Sequence, residues 1–362
     1  MDTPAISVMR PRLPDADALL PYLRRIDQTR LYSNMGPLAC ELAARLQDRF
    51  NAPAHPVANA TLGLAATLMA FGLPAGSLCM VPAWTFAASA HAILLAGLVP
   101  FLVDVDEASG MLRPDMAADY CARAPAPVGA VMPVSAFGRP VDMSGWQDFH
   151  RRHQIAVAVD AAAGFDTAMG GDVPVVVSLH ATKVLGAGEG AFILCRDTQF
   201  LRRCAAITNF GFSGDRHAHM AGMNAKLSEY HAATALAALD QWPQNRREIL
   251  ALTARLADML PQSMGWRAEL TRSFAANTMN LEFPGGWQAA EHRFTAAAIE
   301  TRRWWGPGLH QQAAFAHCPQ VPTPETDRRA AQTLGLPFHC DLDGEAVERI
   351  AAAARASLDP AP

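Results

Sequence analysis

The sequence predicts an α/β fold with a mostly parallel central sheet that helices cover on both faces. Its strand candidates are short apolar runs without alternation, such as VGAVMPV and IAVAVD, which is typical of strands buried on both faces. These runs alternate with helix-like segments, and that order favours parallel pairing. The length of 362 residues is enough for two domains and a large core.

The elements follow from the same patterns in chain order. Helices are predicted at about 15–25, 37–50, 60–71, 85–96, 142–153, 197–208, 225–241 and 243–260. Strands are predicted at about 78–81, 99–104, 128–133, 155–159, 174–178 and 190–195. A long helix is predicted to end near Trp242 and Pro243; beyond it, WRAELTRSFAANTMNLEF is strand-like and EAVERIAAAARAS predicts a closing helix. We therefore predict a large domain over 1–245, including the N-terminal segment, and a smaller C-terminal α+β domain over 246–362.

Composition excludes several classes of function. The net charge is -4 and no basic block is present, so nucleic-acid binding is not predicted. Only 18% of the residues are charged, which leaves room for a buried subunit interface. The seven cysteines are odd in number and form no CxxC pair, so we predict neither disulfides nor a metal site, but free thiols in a reducing cytoplasm.

Two further segments bear on location. The N-terminus lacks a basic stretch followed by an apolar core, so no signal peptide is predicted. Residues 57–103 contain no Asp, Glu, Lys or Arg, but Pro82, Gly97 and Pro100 divide this run. A membrane span needs about 20 continuous apolar residues, so we predict buried α/β elements here and no membrane contact.

The chain contains only two lysines, Lys183 and Lys226, among its 30 basic residues. Lys183 lies in SLHATKVLGAGEG, in a loop between two apolar strand candidates. Arginine does not lose its proton, whereas a buried lysine can, so lysine here indicates covalent amine chemistry. The alternatives are a solvent-facing lysine or a phosphate contact. The second is disfavoured because the glycines follow the lysine, unlike a Walker A loop, and no GxGxxG follows a strand.

A Schiff-base lysine suggests pyridoxal phosphate, which needs an acid at its ring nitrogen, a surface against its ring and donors for its phosphate. Asp160 ends the apolar run IAVAVD, and the carboxyl end of a buried parallel strand faces the usual ligand crevice. There it would keep the pyridine nitrogen protonated. The alternative is a capping or turn aspartate before AAAG.

The other two requirements also have candidates. In VANATLGLAATLMA, the backbone N–H groups of Ala60 and Thr61 at a helix start would hold a phosphate, the alternative being an ordinary N-cap by Asn59 or Thr61. Ser178 could add a hydroxyl donor to the same phosphate. Trp84, between a strand and a helix, offers a flat face for the ring, although a lone Trp is more often part of a core.

With these residues in view, the sequence resembles the DegT/DnrJ/EryC1/StrS family of sugar aminotransferases, which have the fold-type I architecture of pyridoxal phosphate enzymes. The resemblance begins at YSNMGPLACELAARL and runs through nearly the whole chain. It includes the segments NATLGLAATLMAFGLPAGSLCMVPAWTFAASA, VMPVSAFGRPVDM, VAVDAAAG, SLHATKVLGAGEGAF, TNFGFSG, GMNAKLSEYHAATALAALDQW, ETRRWWGPGLHQQAAF and LGLPFH.

The resemblance implies roles for individual residues. Lys183 would carry the cofactor as a Schiff base and shuttle the proton, Asp160 would pair with the ring nitrogen, and Trp84 would stack on the ring. The phosphate would be bound by Ala60, Thr61 and Ser178. Asn224, in GMNAK, would reach the phosphate from the other subunit of a homodimer; the alternative is that it only caps the helix predicted from 225.

The resemblance also implies a reaction. An amino donor, L-glutamate, would load the cofactor, which would then aminate a keto group of a nucleotide-linked deoxysugar for polysaccharide or O-antigen biosynthesis. Because Lys183 is present, transamination is favoured over the deoxygenation of a family branch that has histidine there. Two other functions stay open: a pyridoxal phosphate enzyme acting on a non-sugar ketone, and a catalytically silent regulatory relative.

Three positions depart from the family pattern. Ala163 replaces the Gln or His that typically bonds the cofactor's ring oxygen. Ser135–Gly138 reads SAFG in place of HLYG, and Asn209–Gly211 reads NFG in place of NHG.

Overall fold

The computed structural model describes residues 4–260 and 273–358. We number the helices in this part of the chain in order. They are α1 (Ala16–Thr29), α2 (Pro37–Phe50), α3 (Ala60–Ala70), α4 (Ala87–Leu95), α5 (Pro114–Ala122), α6 (Met143–His153), α7 (Thr198–Ile207), α8 (Glu229–Met259), α9 (Trp287–Ala296), α10 (Pro324–Gln332) and α11 (Gly344–Ala356). A 3₁₀ turn covers Leu309–Gln311, and a tight turn that includes the left-handed residue Phe137 covers Ala136–Gly138.

The strands form two four-stranded groups and one antiparallel pair. They are β1 (Ala54–Val57), β2 (Leu78–Pro82), β3 (Val99–Val103), β4 (Val128–Val131), β5 (Ala156–Val157), β6 (Val159–Asp160), β7 (Val175–Ser178), β8 (Ala191–Leu194), β9 (Met279–Glu282) and β10 (Thr333–Leu336). One group has the order β3-β2-β4-β5 and the other β1-β8-β7-β6, while β9 pairs with β10. In the two larger groups only β8 runs antiparallel to its neighbours. The mostly parallel sheet is therefore confirmed.

The two larger groups join at the segment predicted as one strand over 155–159. Ala158 interrupts it, and the amide of Ala158 donates to the carbonyl of Val131 at 3.0 Å. A parallel bridge between Val134 and Asp160 continues the pairing beyond this point. The first half of the segment thus pairs with β4 and the second half with β7, which makes one twisted sheet and carries Asp160 to its carboxyl edge.

Apolar helix faces cover this sheet on both sides. Leu38, Leu42 and Leu46 of α2 are buried in one core cluster, which extends to Trp242 of α8. Leu64 and Leu68 of α3 belong to a second cluster on the opposite face, with α4 and α7. Burial on both faces explains why the strands read as continuous apolar runs.

A third cluster joins the C-terminal part to the end of α8. It contains Leu252 and Leu256 of α8 together with β9, β10, α9 and α11. Ile6 also packs here and forms a parallel bridge with Ile299, so the N-terminal segment touches the C-terminal part. The division at 245/246 remains a prediction. Within the described residues, no helix is long and apolar enough to cross a membrane.

Some predicted elements need correction. Helix α8 begins at Glu229, not 225, and continues through Pro243 to Met259, so the predicted helix end at Trp242–Pro243 is wrong. The strand-like segment WRAELTRSFAANTMNLEF yields β9 over Met279–Glu282, while its residues 266–272 lie outside the described ones. The predictions omitted β1, α5, α9, α10 and β10.

Candidate active site

A cavity of about 660 Å³ opens at the carboxyl edge of the sheet. Asp160 ends β6 and Ser178 ends β7, so both side chains reach this edge. The cavity is lined by these two residues, by Lys183, and by Ala60 and Thr61 at the start of α3. Five of the seven residues that the sequence singled out therefore meet in one place.

The carboxylate of Asp160 is buried and held by two donors. Ser89 Oγ donates to Asp160 Oδ2 at 2.6 Å, and the amide of Ala162 donates to Oδ1 at 3.0 Å. Since the single hydroxyl proton of Ser89 is used there, the 3.0 Å contact between Thr85 Oγ1 and Ser89 Oγ has Thr85 as donor. Burial raises the pKa of Asp160, and these donors, together with Lys183, oppose the rise.

Sequence reasoning missed Thr85 and Ser89. The local signal for them was weak, since Thr85 precedes Phe86, the N-cap of α4, while Ser89 lies in the first turn of that helix. Ser89 is fully buried and donates to Asp160. The two hydroxyls matter because of this tertiary contact, which the local sequence does not show.

Lys183 lies in the loop between β7 and β8. Its amide donates to the carbonyl of His180 at 2.8 Å, which forms a turn that directs the chain back toward the cavity. Burial lowers the pKa of the Lys183 amine, and the attraction of Asp160 partly opposes this. An amine with a lowered pKa is a better nucleophile at neutral pH because more of it is unprotonated.

The start of α3 presents backbone donors to the same cavity. Asn59 caps this helix by accepting from the amide of Leu62 at 2.9 Å, so the predicted capping alternative is real. The amides of Ala60 and Thr61 belong to the first turn, where intrahelical partners are lacking. Ser178 Oγ accepts from the amide of His180 at 3.1 Å, which leaves the hydroxyl proton of Ser178 to donate elsewhere. Capping and anion binding are thus compatible here.

The structure places Trp84 away from this cavity. Trp84 is 4% exposed and lies edge-on against Trp305, with ring centroids 5.2 Å apart, in a cluster with Val105 and Ala330. Phe86, two residues later, precedes α4, lines the cavity and is 59% exposed. The sequence did not reveal that the C-terminal part supplies an apolar partner for Trp84, which buries that indole and leaves Phe86 at the cavity.

Aromatic rings from two distant segments form the opposite wall. Phe137 and Trp305 stack with centroids 3.9 Å apart and an angle of 14° between their planes. Phe137 has a φ of +52°, a left-handed conformation that a bulky residue rarely adopts. Trp304 lines the same cavity. The segment ETRRWWGPGLH is part of the family resemblance, but the sequence did not predict that its two adjacent tryptophans lie at the site.

Asn224 does not line this cavity. It is exposed and forms an antiparallel bridge with Asn209, while Ser228 caps α8 by accepting from the amide of His231 at 3.2 Å. The alternative that Asn224 caps this helix is therefore wrong, because the segment before Ser228 is extended.

Of the positions that depart from the family pattern, Ala163 and Ser135 line the cavity. Ser135 Oγ donates to the carbonyl of Arg139 at 2.6 Å, which closes the turn that carries Phe137. At Gly138 (φ +88°) a Cβ atom would stand 2.7 Å from the carbonyl oxygen of Ala163, so this turn requires glycine.

The residues present fit pyridoxal phosphate. A buried carboxylate, a half-buried amine, an exposed aromatic face, a hydroxyl donor and the first-turn amides of a helix all border one cavity. The first three provide for a ring nitrogen, a carbonyl carbon and a ring face, and the last two together provide for a phosphate.

Comparison with known proteins gives the same picture. A model of the DegT/DnrJ/EryC1/StrS aminotransferase family matches residues 15–355. A dTDP-4-amino-4,6-dideoxy-D-glucose transaminase from Shigella dysenteriae is 26% identical over 97% of this chain and 98% of its own length. A UDP-N-acetyl-3-dehydro-α-D-glucosamine 3-aminotransferase from Acidithiobacillus ferrooxidans is 28% identical over 84% of this chain and 85% of its own.

Solved structures resemble the fold over nearly its whole length. The structure of DesI in the presence of its TDP-sugar product superposes with a TM-score of 0.87 at 28% identity, covering 99% of this chain and 94% of DesI.

Proposed function

Because the chain belongs to the DegT/DnrJ/EryC1/StrS aminotransferase family, we propose that it transfers an amino group from L-glutamate to a keto group of a nucleotide-linked deoxysugar. The chain is an aminotransferase with pyridoxal phosphate as its cofactor. The observation that carries the proposal is the meeting of Lys183, Asp160 and the phosphate-type donors in one cavity. We further propose a cytoplasmic homodimer that supplies amino sugars for polysaccharide or O-antigen assembly.

Two observations support a nucleotide-linked sugar as acceptor. The relatives named above act on dTDP- and UDP-linked sugars. The cavity of about 660 Å³ has an aromatic wall, formed by Phe137, Trp304 and Trp305, against which the C–H face of a sugar ring can pack.

The test is glutamate-dependent amination across a panel of dTDP- and UDP-linked 3-keto and 4-keto sugars, with non-sugar ketones as controls. Amination of a keto-sugar supports the proposal. Amination of only the non-sugar ketones would replace it with the alternative substrate class, and no bleaching of the cofactor band by glutamate would favour the silent relative.

In the mechanism that we propose, bound pyridoxal phosphate supplies an electron-withdrawing ring and an exchangeable carbonyl group. Lys183 would hold it through its side-chain amine, whose pKa burial lowers. The same amine would also be the general base and acid that moves the substrate proton during amino transfer.

The remaining residues hold the cofactor in place. Asp160 keeps a proton at the ring nitrogen, and the bonds from Ser89 and Ala162 fix its two oxygens for this task. The amides of Ala60 and Thr61 and the hydroxyl of Ser178 bind the phosphate. We propose that Phe86, not Trp84, covers the ring.

Substitutions at Phe86 and Trp84 separate these two assignments. Phe86→Ala removes an exposed ring from the cavity, so we expect the Kd for pyridoxal phosphate to rise about 2- to 10-fold with little change in stability. Trp84→Ala removes a buried indole and should lower the free energy of unfolding by about 3–5 kcal/mol. Cofactor titration and thermal unfolding of both variants are the measurements. The assignment of Phe86 to the ring fails if Trp84→Ala leaves stability unchanged and raises the Kd for pyridoxal phosphate more than Phe86→Ala does.

The proposed homodimer has support in the surface around Asn224. Exposed apolar side chains occur on the segments next to it: Tyr32, Phe210, Met220 and Tyr230. The rings of Tyr32 and Tyr230 stack 6.2 Å apart, and the Lys226 ammonium lies 4.4 Å from the Phe210 ring centroid. Contiguous exposed apolar surface of this kind marks interaction sites.

Complementation tests whether Asn224 serves the partner's site. Lys183→Ala and Asn224→Asp should each be nearly inactive, the second because its new charge repels phosphate. In a mixed dimer with shared sites, one site carries both defects and the other carries neither, so activity should partly return. Subunit exchange is checked with tagged chains. Absence of recovery after verified exchange, or a monomer by light scattering at assay concentration, contradicts the proposal.

A further inference from the structure

The carbonyl that precedes Lys183 is bonded to a residue far along the chain. Asn277 Nδ2 donates to the carbonyl of Thr182 at 2.9 Å, across 95 residues of sequence. Asn277 lines the main cavity, and it also lines a smaller cavity of about 80 Å³ on the other side of the lysine loop. Thr182 and Lys183 border both cavities as well. The bond therefore holds a narrow strip of backbone between two spaces.

The other bonds of this loop are local. The amide of Ala181 donates to the carbonyl of Gly188 at 2.8 Å, that of Ala187 to Leu179 at 2.7 Å, and that of Lys183 to His180 at 2.8 Å. These bonds set the shape of the loop, since both partners in each belong to it. The bond from Asn277 instead fixes the loop relative to the C-terminal part.

The segment that carries Asn277 is itself firmly placed. Asp166, whose side chain is 4% exposed, accepts from the amide of Ala275 at 2.9 Å. Arg246 Nε on α8 donates to both oxygens of Asp166 at 2.8 Å. Because a buried carboxylate held by an arginine is costly to displace, Asn277 has a fixed support.

We propose that Asn277 is a positioning residue for Lys183: its amide holds the peptide that leads into the lysine, and so holds the side-chain amine at the distance that proton transfer requires. The inference rests on the proposed function, because it concerns the reaction that Lys183 performs. A displacement of about 1 Å in a reacting group can cost about 100-fold in rate.

Loosening this strip also changes the surroundings of the amine. The charged and titratable side chains that border the two cavities with Lys183 are Asp160, His180, Glu189, Arg10, Arg12, His339, Cys340 and Asp341. Burial is the main cause of the lowered pKa of Lys183. When water from the smaller cavity gains access, the charged form of this nitrogen is better solvated, whether it is a free amine or part of a Schiff base, so its pKa should move upward.

Three substitutions test the bond. Asn277→Leu and Asn277→Asp keep the size of the side chain but remove the donor, whereas Asn277→Gln keeps a donor on a longer arm. Two quantities are measured on each full-length enzyme carrying pyridoxal phosphate: the rate at which L-glutamate bleaches the visible band, and the pH midpoint at which that band changes. Thermal unfolding of each variant reports on stability.

We expect the Leu and Asp variants to lose about 10- to 100-fold in bleaching rate, with the midpoint moved to higher pH, and the Gln variant to lie closer to wild type. A Leu variant with the wild-type rate and midpoint overturns the inference. So does an equal loss in all three variants that follows the melting temperature alone. If wild type itself is not bleached by glutamate, the proposed function fails, while the midpoints still report whether Asn277 positions the lysine.

Discussion

Replacing Lys183 with arginine or alanine is expected to abolish turnover. Arginine keeps the charge and most of the length but has no amine that can bind a carbonyl carbon, and alanine removes the group entirely. Loss of acid–base assistance alone costs about 10²- to 10⁴-fold, and loss of the covalent bond adds to that. Steady-state rates with glutamate and the accepted keto-sugar are the measurement. Activity above roughly a tenth of wild type in either variant contradicts the role of Lys183.

The scarcity of lysine makes a direct control simple. Borohydride fixes the cofactor to the amine that carries it, and peptide mass mapping then has only Lys183, Lys226 and the N-terminus to consider. Lys226 lies over the Phe210 ring, outside the cavity, so we expect the adduct on Lys183 alone. An adduct on Lys226 would contradict the assignment of Lys183 as the residue that carries the cofactor.

Replacing Asp160 with asparagine is expected to slow turnover by about 10²-fold or more while the protein stays folded. The shape of the side chain is kept and its one oxygen can still accept from Ser89 or from Ala162, but the charge that we propose holds a proton at the ring nitrogen is lost. The loss is on the scale of removing one preorganised electrostatic group from an active site. Burial raises the pKa of Asp160, so folding already disfavours its charged form; this offsets part of the cost of losing one of the two bonds that its oxygens accept. An unchanged kcat at full cofactor occupancy would assign the ring nitrogen to another acid.

Ser89→Ala provides a graded comparison for Asp160. It removes the 2.6 Å bond to Oδ2 but leaves the carboxylate and the bond from Ala162. The loss of rate should therefore lie between wild type and Asp160→Asn, and the pKa of Asp160 should rise further because one opposing donor is gone.

The residues predicted correctly to meet are those whose position follows from strand direction. Asp160 and Ser178 end neighbouring parallel strands, and Ala60 and Thr61 begin the helix that follows β1. Periodicity and element order locate such residues at one edge of the sheet before any tertiary contact is known. Their roles toward the cofactor remain proposals.

The residues misplaced or missed depend on contacts between distant segments. Trp84 packs against Trp305, and Ser89 reaches Asp160 across 71 residues. No local pattern encodes which of Trp84 and Phe86 turns toward the core, because the choice depends on the apolar partners that the C-terminal part brings. The same holds for Asn277.

The start of α8 was predicted four residues early for a similar reason. Local propensity allows a helix from Ala225, but bridges from Asn224 to Asn209 and from Lys226 to Val57 hold this stretch extended. At Pro243 the opposite occurs. The proline costs the helix about 3 kcal/mol and one hydrogen bond, yet buried side chains on both sides of it, Trp242 and Leu252, keep α8 continuous.

The continuity of α8 limits how this enzyme can vary in length. The helix is packed into the main core up to Trp242 and into the C-terminal core at Leu252 and Leu256. One residue inserted between these contacts would rotate everything after it by about 100° and shift it by about 1.5 Å. Either Leu252 and Leu256 would leave their core or the whole C-terminal part would turn with them, and an insertion before Arg246 would also turn that side chain away from Asp166. The number of helical residues between these two sets of contacts is therefore fixed. A C-terminal part taken from a relative has to keep that number in order to pack against the rest of the chain.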